Sequence, residues 1–306
     1  VDTGIDDALA LFYLAHAQKK GDIEILGSTT VGGNVEVGQT TLNTLKIWEM
    51  LDLDIPVASG AKQPLMVPLN PAPYVHGDDG LGNTFLPAPK KLPSAESAAE
   101  MILRLSHEYA GELTLLTTAP LTNIAVALLQ DPDLAKRIRK VVIMGGAVFT
   151  GNVSAVAEAN IANDPEAARI VFRSGMEMTL VGLDVTHEVY WEEQDLQALV
   201  KIANVRSAFL LQIIGFISTA YENLSGWKRC VLHDPLAAGV CLFPDLVKSE
   251  KRYVDVELNG ELTRGMTVVD RRGRTPLGVE NMQVALEVDA ERFKTQLMES
   301  LLAWAR

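Results

Sequence analysis

The chain has 306 residues, 48% hydrophobic and 22% charged, which is enough to bury a large core as one big α/β domain or two smaller ones. A net charge of −12 argues against the basic face that nucleic acid or an anionic membrane would require. No apolar stretch approaches the roughly 20 residues of a membrane-spanning helix, and two cysteines, Cys230 and Cys241, are too few for a disulfide framework, so buried free thiols in a reducing cytoplasm are expected.

The chain opens on "VDTGIDDALAL". An apolar run behind three aspartates predicts a buried helix whose first turn carries Asp6 and Asp7. Those two acids serve equally well as helix N-terminal charges, each worth about 0.3–1 kcal/mol against the dipole. Asp2 changes the balance, because an Asp before a tight Gly turn and two further Asp gather carboxylates around one point. Like charges that close repel, and a hard cation with oxygen ligands relieves the repulsion.

Short β-branched runs then alternate with segments of helical period. "IEILGSTTVGGN", residues 23–34, predicts a buried strand ending in a Gly-rich turn at Asn34. "VEVGQTTLNTLKIWEML" predicts a helix with Leu42, Leu45, Ile47 and Trp48 on one side, and "IPVASG" another strand. "YVHGDDGLG" is a Gly-rich loop carrying His76, suited to a mobile lid. "SAESAAEMILRLSHEYA" predicts a helix opened by Ser94, followed by the strand "LTLLTTAP" and the helix "LTNIAVALLQ".

"KVVIMGGAV" and "EMTLVGLDVT" repeat the strand-then-turn theme. Between them lies "GNVSAVAEANIANDPEAA". Its Asn152, Glu158 and Asn160 offer donors and acceptors suited to sugar hydroxyls, or simply make a polar loop. Asp164 and Pro165 mark a helix start as cap and first residue. "HDP", at His233, Asp234 and Pro235, reads either as a buried hydrogen-bonded histidine or as a proton donor beside a ligating carboxylate. "RYVDVELNGELTRGMTVVDRRG", residues 252–273, alternates as a hairpin with Asn259 and Gly260 at its turn. The final helix is capped by Asp289.

Apolar strands separated by helices predict a mostly parallel open sheet, flanked by helices on both faces, in one domain over residues 1–306. In such a sheet a ligand sits beyond the carboxyl ends of the strands. The residues to inspect are therefore Asp2, Asp6, Asp7, Asn34, Thr118, Gly145, Gly146 and the stretch after Thr186.

"VDTGIDDA", "TTVGGN", "YVHGDDGLG", "TTAPLTNIA", "VVIMGGAV", "GNVSAVAEANIANDPEAA" and "HDP" occur in one order across nearly the whole chain. That series resembles the inosine–uridine nucleoside hydrolase family, whose fold is Rossmann-like. The family's aspartate cluster is written D-x-D-x-x-x-D-D, and Asp2, Asp6 and Asp7 match its last three acids. The resemblance thus implies a further Asp and a first strand ahead of Val1.

It also implies roles. Asp2, Asp7 and Asp234 would ligate Ca²⁺ with the Thr118 carbonyl, and Asp2 would act as the catalytic base. Asp6 would grip the ribose 2′-hydroxyl. Asn34, Asn152, Glu158 and Asn160 would contact ribose, with Met144 beside the sugar. His76, Tyr221 and His233 would lie near the base, and His233 would start proton delivery to it. Ile217 and Ala159 stand where some relatives carry aromatics, so the resemblance leaves purine against pyrimidine open. It implies a homodimer or homotetramer acting on a small ribonucleoside.

Two rivals share single features. A phosphatase of the haloacid-dehalogenase type opens on an Asp cluster but needs a later Lys and a further acidic motif, where this chain has Asn, Thr and Gly. A nucleoside-binding protein without activity would not need a base and a histidine.

Overall fold

The computed structural model describes residues 1–272 and 277–306. Its strands in chain order are β1 (Ser28–Thr30), β2 (Val57–Ser59), β3 (Thr114–Thr117), β4 (Lys140–Met144), β5 (Met178–Val181), β6 (Tyr190–Trp191), β7 (Cys230–Val231), β8 (Val247–Arg252), β9 (Val254–Val256), β10 (Thr267–Val269) and β11 (Met282–Val288). The central sheet runs β3–β4–β5–β11–β8, parallel except for the antiparallel edge pair β11–β8.

Strand β4 explains why the sheet is covered on both faces. Val142 and Met144 belong to one apolar core, and Val141 and Ile143 to a second on the other face. Successive side chains of a strand point to opposite faces, so a run with no polar alternation needs helices on both sides. The register aligns Thr117 with Ile143 and Met144 with Val181, which brings Thr118, Gly145 and Gly182 to one carboxyl edge.

The helix Ile5–Lys20 is buried along most of its length and closes at Gly21, whose φ of 80° a residue with a Cβ rarely adopts. It packs on the helices His233–Leu242 and Ala290–Ala305. Asp164 and Asp289 cap their helices as expected, through Ala167 N–H and Arg292 N–H.

Other expectations shift. The helix expected to open at Ser94 begins at Ala98 and is capped by Ser97, whose hydroxyl accepts Glu100 N–H while the Glu100 carboxylate accepts Ser97 N–H, a capping box. The expected strand over residues 23–34 contracts to β1, which pairs with β2. Residues 23–27 are not part of a strand and line a cleft whose opposite wall includes β3. The hairpin forms from β9 and β10, joined by residues 257–266 rather than a tight Asn–Gly turn; its expected end at Gly273 lies outside the described residues.

The helix Val37–Met50 departs most from its apolar pattern. Leu42 is 40% exposed, while Thr40, Thr41, Asn43 and Thr44 are buried. These polar side chains have partners: Thr44 and Thr3 share a hydroxyl hydrogen bond of 2.6 Å, and Asn43 Nδ2 donates to the Thr3 and Asp79 carbonyls. The buried face of this helix therefore holds the segment that carries the opening aspartates. Both cysteines are free thiols, Cys230 buried and Cys241 half-buried. Among the described residues no helix is long and apolar enough to cross a membrane.

Candidate active site

The Val1 amine donates to the Thr29 carbonyl, and Val31 N–H donates to the Val1 carbonyl. The opening residues thereby lie beside β1, and the turn at Gly4 aims Asp2, Asp6 and Asp7 into one place. Asp2 sits against the Gly-rich turn after β1. Its Oδ2 accepts Asn34 N–H at 2.7 Å, and a Cβ built on Gly33 would stand 1.9 Å from that oxygen. Only glycine permits so close an approach.

Asp7 is held from three sides. Its Oδ1 accepts the Thr118 hydroxyl at 2.7 Å, and its Oδ2 accepts Gly4 N–H at 2.9 Å and Asn34 Nδ2 at 3.3 Å. Asp234 arrives from the first turn of the helix His233–Leu242. Carboxylate oxygens of Asp6, Asp7 and Asp234 lie within 4.8 Å of one another, all buried. Asp2 is not part of that close trio, yet its Oδ1, like Asp6 Oδ1, is buried with no hydrogen-bond partner.

Burial, reinforced by the neighbouring carboxylates, raises the pKa values of Asp2 and Asp234 and pushes Asp6 up to about 8. Buried carboxylates with orphaned oxygens and mutual repulsion form a donor set fit for a hard cation that takes oxygen ligands. The chain thus contains a candidate metal site made of aspartates.

A second group stitches the strand ends together. Asn160, on the short helix Ala159–Asn163, donates from Nδ2 to the Thr118 carbonyl at 3.3 Å and the Met144 carbonyl at 3.2 Å. Glu158 accepts the N–H groups of Gly146, Asn160 and Ile161. Its carboxylate holds the turn after β4, and burial raises its pKa. Asn152 remains apart from this cluster: it is exposed and accepts Ala159 N–H at the rim.

The histidines form the remaining wall. His76 is buried rather than displayed on a lid, at the end of the short helix Pro73–His76. Its Nδ1 accepts Ile5 N–H at 3.2 Å, which requires that nitrogen to be unprotonated, and burial lowers its pKa to about 4. His233 lies between Tyr221 and Thr186: Nε2 is 2.7 Å from the Tyr221 hydroxyl, and Nδ1 is 2.7 Å from the Thr186 hydroxyl. Burial, with help from His187, lowers the His233 pKa to about 3. The His187 ring meets it edge-on at 5.5 Å.

Sequence reasoning flagged the stretch after Thr186, which begins at His187, but gave neither Thr186 nor His187 a role. The only available signal was their position just past the apolar strand β5.

A mostly parallel sheet with a buried acidic cluster at its carboxyl edge defines an α/β protein with a candidate metal site. The comparisons supply its family. The family described as "Inosine-uridine preferring nucleoside hydrolase" matches residues 1–295, and the chain belongs to it. It is 38% identical over 304 residues to the inosine-uridine preferring nucleoside hydrolase of Leishmania major, covering 98% of this chain and 95% of that protein. It is also 38% identical over 300 residues to uridine nucleosidase 1 of Arabidopsis thaliana, covering 95% and 88%. The solved purine-preferring ribonucleoside hydrolase from Gardnerella vaginalis superposes with a TM-score of 0.93 at 34% identity, over 100% of this chain and 97% of that one. The protein is accordingly a hydrolase of the N-glycosidic bond of nucleosides.

Proposed function

We propose that this enzyme uses Ca²⁺ to hydrolyse ribonucleosides of the inosine, uridine and cytidine type to ribose and free base, in nucleoside salvage. The observation that carries the reading is the buried trio Asp6, Asp7 and Asp234, joined by Asp2 with its unpartnered oxygen. Asp2, Asp7 and Asp234 would hold the ion with the Thr118 carbonyl. When bound, such a cation orients a vicinal diol and polarises a water.

The residues of the chain supply the rest. Cleavage at C1′ leaves positive charge on the ribose ring, and an acidic pocket lowers the energy of that charge. Asp2 is the base for the attacking water. Asp6 grips the 2′-hydroxyl, and Asn34, Asn152, Asn160 and Glu158 surround the sugar with Met144. Glu158 is occupied by backbone donors, which favours a supporting part in that wall. His76, Tyr221 and His233 lie on the side of the leaving base. The reading includes a single domain over residues 1–306, a homodimer or homotetramer, and a cytoplasmic setting.

The test is reducing-sugar release from a panel of ribo- and 2′-deoxyribonucleosides, with and without a stringent chelator. Activity on ribosides should fall at least 100-fold on chelation and return with calcium, and the deoxy series should react at least 100-fold more slowly. Indifference to chelation, or equal rates on the deoxy series, overturns the metal–diol reading. The same panel reads the preferred base.

A further inference from the structure

Thr186 lies in the helix Leu183–Thr186, directly after β5, and is fully buried. Its hydroxyl stands 2.7 Å from His233 Nδ1, and among the described residues that nitrogen is its one hydrogen-bond partner. On the far side of the imidazole, Nε2 stands 2.7 Å from the Tyr221 hydroxyl. Tyr221 is the member of this row that is partly exposed; burial, and then the charge of nearby Asp6, raises the pKa of its hydroxyl.

A neutral imidazole carries one proton, so the row can be ordered in two ways. In the first, Tyr221 O–H donates to Nε2 and Nδ1–H donates to Thr186. The Thr186 proton is then left buried with no acceptor, which is costly. In the second, Thr186 O–H donates to Nδ1 and Nε2–H donates to the Tyr221 oxygen. Every buried donor is then satisfied, and the Tyr221 proton is free to point outward.

We infer that Thr186 is a positioning residue for glycosidic cleavage: its hydroxyl fixes His233 as the Nε2–H tautomer, so that Tyr221 presents its O–H to the departing base. The inference rests on the reading above that His233 and Tyr221 face the base. In the step it serves, the C1′–N bond breaks with its electron pair going to the base nitrogen. That nitrogen takes the Tyr221 proton, the phenolate is held by His233 Nε2–H, and water later returns a proton to it. Thr186 touches no reacting atom and acts through His233.

Three enzymes test this: the wild type, Thr186→Val, which keeps the shape without the hydroxyl, and Thr186→Ser, which restores the hydroxyl. Each is assayed on inosine and uridine and on p-nitrophenyl β-D-riboside, whose leaving group departs as an anion without a proton. For Thr186→Val, kcat on the nucleosides should fall 10- to 100-fold with KM within twofold, while kcat on the aryl riboside stays within twofold. Thr186→Ser should recover the nucleoside kcat to within threefold. Equal loss on both substrate types, no loss on nucleosides, or failure of the Ser variant to recover overturns the inference.

A wild type that releases ribose from neither class contradicts the proposed function itself, which keeps the two failures apart. Independently of any variant, ¹⁵N–¹H correlation of the His233 ring in the wild type should show Nε2 protonated and Nδ1 bare. A proton on Nδ1 overturns the inference.

Discussion

The opening aspartates depend on residues that carry no charge. Asp2 reaches its place because Gly33 has no side chain, and Asp7 is oriented by a hydroxyl from Thr118 and two N–H groups. Gly33→Ala should therefore be severe. A Cβ at 1.9 Å from Asp2 Oδ2 must displace the carboxylate or the turn. The expected cost is about 1–3 kcal/mol of stability, as for overpacking elsewhere, with at least a tenfold loss of kcat/KM. Thermal melting and initial rates check both, and a variant with wild-type rates would show that Asp2 is not needed where it stands. At this scale the sequence was informative about the acids and silent about their holders. Acid clusters are visible as residue types, whereas the need for glycine arises only when another chain segment comes close.

Elements were legible where their signal is local. Asp164 with Pro165, and Asp289, sit where cap chemistry puts them, because a cap and its helix are adjacent in sequence. The helix Ala98–Glu108 shows the limit of that reading: Ser94 and Ser97 are both plausible caps in sequence, and the reciprocal bond with Glu100 selects Ser97. Ser97→Ala should cost about 1 kcal/mol and Ser94→Ala less than about 0.5 kcal/mol, measured by denaturant unfolding. A larger loss at Ser94 would contradict the assignment. The helix Val37–Met50 was legible as a helix but not in its orientation. Its buried threonines and Asn43 face a polar segment, so the apolar stripe is not the whole of its packed face.

For the whole molecule, the acidic cluster couples stability to pH and to cation. In the folded, chelated enzyme Asp2, Asp6 and Asp234 hold protons that the unfolded chain releases near the ordinary Asp pKa of about 4. Because the folded values are raised, the stabilisation is complete below pH ~4 and is lost as pH rises toward about 8, where Asp6 gives up its proton. Below pH ~6.5 the buried neutral His76 and His233 add the opposite slope, because the unfolded chain protonates them first. In chelator, Tm should thus fall between pH 7 and 8, against the usual behaviour of paired carboxylates. Saturating calcium should raise Tm by on the order of 5 °C, with the largest gain at the alkaline end. A chelated protein whose Tm is flat or climbs over that range would contradict the raised pKa values.

The sequence alone determined the alternation of apolar strands with helices, the capped helix starts, and the ordered series of motifs that identifies the family. These are local or one-dimensional properties: hydrophobic period, cap chemistry, the order of residue types. Only the tertiary structure decided which acids meet, since Asp6, Asp7 and Asp234 come together only where a distant helix start is folded onto the first one. It also decided that β1 pairs with β2, that His76 is buried against the start of the first helix, and that Thr186 stands behind His233. Hydrogen bonds form only at heavy-atom separations of about 3 Å, and no spacing along the chain encodes which remote groups the fold will bring that close.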